Sequence, residues 1–474
     1  MTKKNAKKLM QTLSVLPLVY AAIFLLPSCA SNPKQNLPYN AHSYYEDTIS
    51  DFSTAELSNG IPVIFKQYES KTAWIGLIID GGVALYTEDK SGLEDITLNL
   101  MLHGSESFPY NEIQRLEFEK SFSISATAGK DYSVISTRFI QRDLNDALSL
   151  FSDSILHPTL SEADFTTIMT EEAEALQRTL SNPSGVLGLE LTKAAFSRHP
   201  YATSTAVTAQ SISKITLEDV QNHYISLLDA SRLSFVVVGD FSSKAQKKLL
   251  TLLDTAFGTI SRSSFTKTSI PPLEASSKTI YAVSDVAADT GYIAGYFTCP
   301  ERTTEDYVAF AIALMYLDDI LFKQVREQHG AVYSIGSGVF GGKQLLGAIS
   351  VYKATEKKQL QHYIYEAIED FPSEEEIEKT LDEYKNKYIT TLFSSSQNIT
   401  GVAGNVVASL AYYQNATQYL NRAEQVQNIT AQDVSRIYRR YLTRNPEKAE
   451  NGQVSPICWI IVSGEESVYT FTFE

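Results

Sequence analysis

Ile215-Thr216-Leu217-Glu218-Asp219-Val220, with Tyr224 beyond it, returns as Ile429-Thr430-Ala431-Gln432-Asp433-Val434, with Tyr438 beyond it. The offset is 214 residues, and Ile, Thr, Asp, Val and Tyr recur in register. Thr followed three residues later by Asp is the pattern of a helix start, in which hydroxyl and carboxylate each accept a backbone N–H. A β-rich apolar run follows each copy: Leu233 to Val238 before Gly239, and Ile457 to Val462 before Ser463-Gly464. Helix-then-strand at the end of two stretches predicts a duplicated architecture.

The two halves also begin alike. Residues 62–68 (Pro62-Val63-Ile64-Phe65 onward) and 72–80 (Trp74 to Ile79) read as strands, as do Thr279 to Val283 and Gly291 to Phe297. Helical periodicity follows in each half. It is carried by Ala147, Leu148, Leu150, Phe151 and Ile155 over 145–156, and by Val308, Ala309, Ile312, Leu314, Leu317 and Leu321 over 305–325. Strands and helices mix in both halves, so each is α+β. The join, Ser261 to Ser277, is rich in Ser, Thr, Lys and Pro.

Composition narrows the function. An apolar fraction of 43% in 474 residues is enough for sizeable cores and excludes wholesale disorder. Three cysteines exclude a disulfide framework and a four-cysteine zinc cluster. A net charge of −15 argues against nucleic-acid binding, which needs basic surface. Lys3, Lys4, Lys7 and Lys8 precede an apolar run from Leu13 to Leu26, and then come Pro27-Ser28-Cys29. This reads as an export signal. Leu26 and Ser28 before Cys29 resemble a bacterial lipobox, although Pro27 stands where a small or β-branched residue is usual. Lipidation of Cys29 is therefore expected, with the chain tethered in the periplasm to the inner or outer membrane. Removing residues 1–28 takes away four lysines and no acid, which lowers the charge from −15 to −19. The expected organisation is signal 1–28, polar linker 29–53, first domain 54–260, join 261–277 and second domain 278–474.

The local wording resembles the M16 metallopeptidases, the pitrilysin, insulinase and mitochondrial-processing-peptidase group. The resemblance is carried by Leu57-Ser58-Asn59-Gly60-Ile61-Pro62-Val63, Gly81-Gly82, Ser91-Gly92-Leu93, Gly104-Ser105 with Phe108-Pro109, His199-Pro200-Tyr201 and Val236-Val237-Val238-Gly239-Asp240. It covers about residues 54–466 and implies two homologous α/β sandwich domains of the LuxS/metalloenzyme-like type in tandem, each an antiparallel-rich mixed sheet packed with helices. Active members carry H-x-x-E-H on the helix after Gly-Leu. Two imidazoles on one helix face hold zinc, and the Glu is the general base on zinc-bound water. Here those positions are Asp95, Leu98 and Asn99. The family's distal Glu ligand falls on Glu172, and a further acid falls on Phe165.

Leu98 cannot accept a proton, and Asn99 offers only a carbonyl oxygen, a poor zinc ligand beside imidazole. Among His42, His103, His157, His199, His223, His329 and His362, no two are three to five residues apart. No His-pair motif exists elsewhere, and His103 reads as a helix-end residue favoured by the dipole. An oxygen-only calcium or magnesium site from Asp95, Asn99 and Glu172 is the one metal reading left. The chain is thus expected to bind no zinc and to be inactive alone.

The run Leu321-Phe322-Lys323-Gln324-Val325-Arg326-Glu327-Gln328-His329-Gly330-Ala331-Val332-Tyr333 resembles the family motif in which an Arg and a Tyr seven residues later face the substrate. An Arg fork and a phenol can both donate to a peptide carbonyl. The plain alternative is a helix-end Arg in a surface ion pair and a core Tyr. Gly336-Ser337-Gly338 and Gly341-Gly342-Lys343 lack a phosphate-loop pattern and read as strand turns. Cys299 and Cys458 read as buried thiols, and Ser373-Glu374-Glu375-Glu376 as a solvated helix start. Some M16 pairs divide labour, with one chain carrying H-x-x-E-H and zinc and the other the Arg/Tyr surface. The resemblance implies the second kind: a substrate-binding subunit for peptides or unfolded protein, in a heterodimer with a zinc-bearing partner. The acidity is compatible with basic peptides or with a solubility role. The rival is a scaffold subunit of an envelope complex, which would need a large exposed apolar patch.

Overall fold

The computed structural model describes residues 49–266, 269–466 and 468–471. The export signal, Cys29 and most of the linker lie outside the described residues. The first half runs β1 (Phe52–Glu56), β2 (Pro62–Gln67), β3 (Thr72–Asp80), α1 (Leu93–Met101), α2 (Tyr110–Lys120), β4 (Ser123–Thr127), β5 (Tyr132–Ile140), α3 (Leu144–Leu156), α4 (Glu162–Leu180), α5 (Pro183–Ala195), α6 (Leu217–Leu227), β6 (Leu233–Gly239) and α7 (Ser243–Phe257). The second half runs β7 (Lys278–Val283), β8 (Gly291–Thr298), α8 (Asp306–Leu321), β9 (Val332–Gly341), β10 (Leu345–Ala354), α9 (Leu360–Glu369), α10 (Glu374–Ser395), α11 (Ile399–Tyr413), α12 (Asn421–Asn428), α13 (Ala431–Ile437) and β11 (Ile457–Ser463).

The strand orders are β1-β2-β6-β3-β5-β4 and β7-β11-β8-β10-β9. Without β1 they are the same order. In each sheet one pair is parallel, β2 with β6 and β7 with β11, and the other pairs are antiparallel. The repeated hexapeptides start α6 and α13, and both form complete capping boxes, Thr216 with Asp219 and Thr430 with Asp433. Duplication therefore holds at the level of topology. The copies differ after their last strand, where α7 follows β6 but no described helix follows β11.

Two features correct the sequence reading. Strand β1 begins at Phe52, inside the stretch read as linker; it pairs along β2, and Asp51 binds Lys66 Nζ at 2.7 Å. Its half-exposed residues carry no apolar run, which is why it does not stand out as a strand. The join 261–277 has no described helix or strand but is fastened to the body. Leu273 is buried beside α5, and the Pro271 carbonyl lies 2.9 Å from His199 Nε2.

One face of each sheet covers its own helices. Ile75, Leu77, Phe235 and Val237 pack with Ile96 and Leu98 of α1; Ile293, Ile349, Trp459 and Ile461 pack with Ile312 and Leu317 of α8. The opposite faces are covered by the other half. Ile64, Trp74, Ile78, Val236 and Val238 pack against Val402, Ala403 and Val406 of α11. Ala294, Leu346, Ile460 and Val462 pack against Leu187 and Ala195 of α5, with Phe196 and Tyr201 beyond it. Side chains alternate faces along a strand, so a strand covered on both faces is apolar throughout. That is why Val236-Val237-Val238 and Ile457 to Val462 do not alternate.

The β9–β10 turn also crosses between halves. The Lys343 amide donates to Asp131 Oδ2 at 2.7 Å, the Tyr201 hydroxyl donates to Asp131 Oδ1 at 2.7 Å, and the Gln344 amide donates to the Tyr201 oxygen at 3.2 Å. A side chain at position 342 would meet Asp131 Oδ2 at 2.0 Å, so only glycine lets the turn seat. Among the described residues, no helix is long and apolar enough to cross a membrane.

Candidate functional site

Helix α1 stands where an M16 zinc helix would. Leu98 is fully buried in the first core, so the position of the general base has become packing. Asp95 and Asn99, four residues apart on one face, are partly exposed, and the Asn99 amide donates to Asp95 Oδ2 at 3.0 Å. Helix α4 brings Glu172 alongside. Burial raises Asp95 to about 6, against the pull of the Ala128 amide and Asn99. Burial and then the Asp95 charge raise Glu172 to about 7. Phe165 packs against the core.

This donor set does not fit zinc. No imidazole is present, and one oxygen of Asp95 already accepts from the Asn99 amide. Among the described residues, no group of three or more His, Cys, Asp or Glu could hold a metal ion. His103 stacks on Tyr110, with ring centroids 4.3 Å apart and 9° between planes. Burial lowers its basicity, against the preference of the helix end for a charged imidazole.

Behind Asp95 lies a polar group that the family frame does not suggest. Glu94 is 1% exposed, and the Ser133 hydroxyl donates to its Oε1. His223 of α6 places Nε2 3.7 Å from Glu94 Oε2, and neither atom has a hydrogen-bonding partner among the described residues. Tyr86 meets the His223 ring edge-on at 4.8 Å. A buried carboxyl thus ties α1 to α6 and β5. The sequence signal was a charged residue at a core-facing helix position, visible only once the face of α1 is known.

The second constellation is exposed. Helix α8 passes directly into a π-helical turn, Phe322–Gln328, in which the His329 amide donates to the Gln324 carbonyl five residues back. The Ala331 amide donates to the Val325 carbonyl and the Gly330 amide to the Arg326 carbonyl. Gly330 is left-handed at φ 59, and Val325 and Ala331 are buried together. This is a left-handed αL-type helix ending, whose turn position glycine fills without steric cost. It delivers Tyr333, 67% exposed, to the start of β9.

The Arg326 guanidinium carbon lies 5.6 Å from the Tyr333 ring centroid and 4.9 Å from that of Phe322. Arg326 has no ion pair among the described residues, so the surface-pair and core-tyrosine alternative is not what the fold contains. Lys353 Nζ stands 5.5 Å from the same Tyr333 ring. Phe322, four residues before Arg326, was legible from helical spacing; Lys353 was not. No described contact joins Arg326 or Tyr333 to Asp95, Asn99 or Glu172.

Cys299 and Cys458 are free and buried, and burial raises the Cys299 thiol to about 12, so both are unreactive. Ser373 and Glu376 form a capping box at the start of α10, which accounts for that acidic run.

Comparison with known proteins agrees with this architecture. The family description "Insulinase (Peptidase family M16)" matches residues 63–209, and "Peptidase M16 inactive domain" matches residues 214–390. The non-peptidase homologue YmxG of Helicobacter pylori is 21% identical over 181 residues, which are 38% of this chain and 42% of that protein. Subunit alpha-1 of the mitochondrial-processing peptidase of Dictyostelium discoideum is 25% identical over 212 residues, 43% of this chain and 31% of that one. The chain therefore spans less than half the length of either curated relative in the matched region. A crystal structure of a peptidase M16 inactive domain from Pseudomonas fluorescens shares the fold, with a TM-score of 0.72 at 19% identity, covering 87% of this chain and 98% of that one. With both halves matched in order and two sheets of one topology, the chain belongs to the M16 peptidase family.

Proposed function

We propose that this chain is a non-catalytic, substrate-binding subunit of a zinc metallopeptidase, working with a partner that carries H-x-x-E-H. The observation that carries the proposal is the exposed, unpaired Arg326–Tyr333 pair in a chain whose metal helix lacks both imidazoles and the general base. The names of the two curated relatives support it, one a non-peptidase homologue and the other a subunit. Strands β4 and β9 end their sheets, and an extended peptide can add to such an edge through main-chain hydrogen bonds. The guanidinium and phenol would then hold a substrate carbonyl near the partner's zinc. Export and lipid attachment at Cys29 belong to the same proposal; incorporation of labelled palmitate, lost in Cys29→Ser, tests them.

The purified chain should show neither chelator-sensitive peptidase activity nor stoichiometric zinc by elemental analysis. Co-expression with an H-x-x-E-H homologue should yield a stable pair that cleaves unfolded substrates. Arg326→Ala or Tyr333→Phe should lower its kcat/KM at least about tenfold. Zinc-dependent cleavage by the chain alone, or full activity in both variants, would overturn the proposal. The scaffold alternative would instead yield a stable non-peptidase partner on co-purification.

A further inference from the structure

We infer that Lys353 and Arg326 make the face of Tyr333 a carboxylate-selecting subsite, which takes an acidic side chain or the terminal carboxylate of a bound peptide. The inference rests on the reading of Arg326 and Tyr333 as peptide-binding.

Strand pairing places Lys353 there. Tyr352 pairs with Ser334 and Ala354 with Val332, so Lys353 lies directly across β9–β10 from Tyr333. On its other side the register with β8 shifts between Val351 and Ala354, which makes a bulge at Lys353. Its backbone is left-handed, at φ 54. A lysine gains nothing from that conformation, and bulges and strained residues gather where a side chain must be aimed. Here the result is an exposed ammonium 5.5 Å from the Tyr333 ring, with the Arg326 guanidinium 5.6 Å from the same centroid.

The charge pattern points to an anion. Some exposed cations of this acidic chain have acidic partners, Lys379 with Glu375 and Lys387 with Asp319. Arg326 and Lys353 have no acidic or hydrogen-bonding partner among the described residues. Glu356, three residues beyond Lys353, is held by the amides of Lys358 and Gln359 in its own loop. A carboxylate arriving beside Tyr333 can accept from the phenol and from a neighbouring ammonium or guanidinium, and it lowers the local excess of positive charge. The selectivity thus opposes the net charge of the chain, which by itself would favour basic peptides.

The test is fluorescence anisotropy on the full chain. The probes are a labelled decapeptide of Ala, Ser, Thr and Gly with an amidated C-terminus, the same peptide with one central Asp, and the same peptide with a free C-terminus. At low salt the Asp peptide, the free-acid peptide or both should bind about five-fold more tightly than the neutral one, and which of them gains identifies the source of the carboxylate. Lys353→Asn keeps a residue that tolerates the left-handed backbone but removes the charge; it should abolish the ratio, and Lys353→Glu should invert it. Equal affinities for the three peptides, or a ratio unchanged in Lys353→Asn, would overturn the inference. The underlying site reading is tested separately: Arg326→Ala should weaken the neutral peptide as well, and if it does not, that reading fails while the Lys353 ratio still decides the selectivity. No binding of any probe by the wild-type chain overturns both.

Discussion

Asp95 and Glu172 hold protons into a range where ordinary carboxyls have released them. Their folded values, about 6 and about 7, lie above those of the unfolded chain, about 4. Between these limits the folded state binds more protons, so the pair's contribution to stability is greatest in acid and is lost as pH rises through 6 to 7. Asp95→Asn should therefore raise stability at pH 8 by about 1–2 kcal/mol and flatten the pH dependence. Urea unfolding at pH 5 and pH 8 measures it, and an unchanged slope would show that the pair is not coupled to folding. Glu94→Ala should act the other way, costing about 1–3 kcal/mol by removing the acceptor of the buried Ser133 hydroxyl. Asp95, Leu98, Asn99, Glu172, Arg326 and Tyr333 were singled out in the sequence because the M16 resemblance marks those positions. Glu94 and Lys353 were not, because burial and cross-strand register arise only in the folded sheet.

At the scale of elements, helix starts were legible to the residue, since a capping box is written within four positions. Thr430→Ala should lower stability by about 1 kcal/mol, and Thr216→Ala by a similar amount, by thermal or denaturant unfolding. Loss at neither site would mean that tertiary packing alone sets these helix starts. The π-helical turn at Phe322–Gln328 was not legible, because it reflects the fit of α8 to β9 rather than any local preference. Strand β1 escaped notice for the same reason: its partner β2, not its composition, makes it a strand.

Across the whole molecule, the repeat predicted two related sheets, and the sheets are there. It did not predict that each covers the other's outer face with a helix, because the apolar stripes of α5 and α11 look like those of any core helix. This exchange makes the halves one cooperative body. Calorimetry should show a single transition whose van't Hoff and calorimetric enthalpies agree. Phe196→Ala, at the α5 crossing, should destabilise by about 3–5 kcal/mol without splitting that transition. Two separate transitions would contradict the interlocked packing.

The exchange also sets a timetable. Ile64, Trp74, Ile78, Val236 and Val238 are complete once β6 has been synthesised, yet α11, which covers them, ends at Tyr413. At bacterial and eukaryotic ribosome speeds the gap between these segments lasts roughly 10–30 s. For that interval the first sheet is a nascent surface with one oily side open, exposed to self-association before its cover is made. The later half therefore acts toward the earlier one as a built-in cover that arrives last.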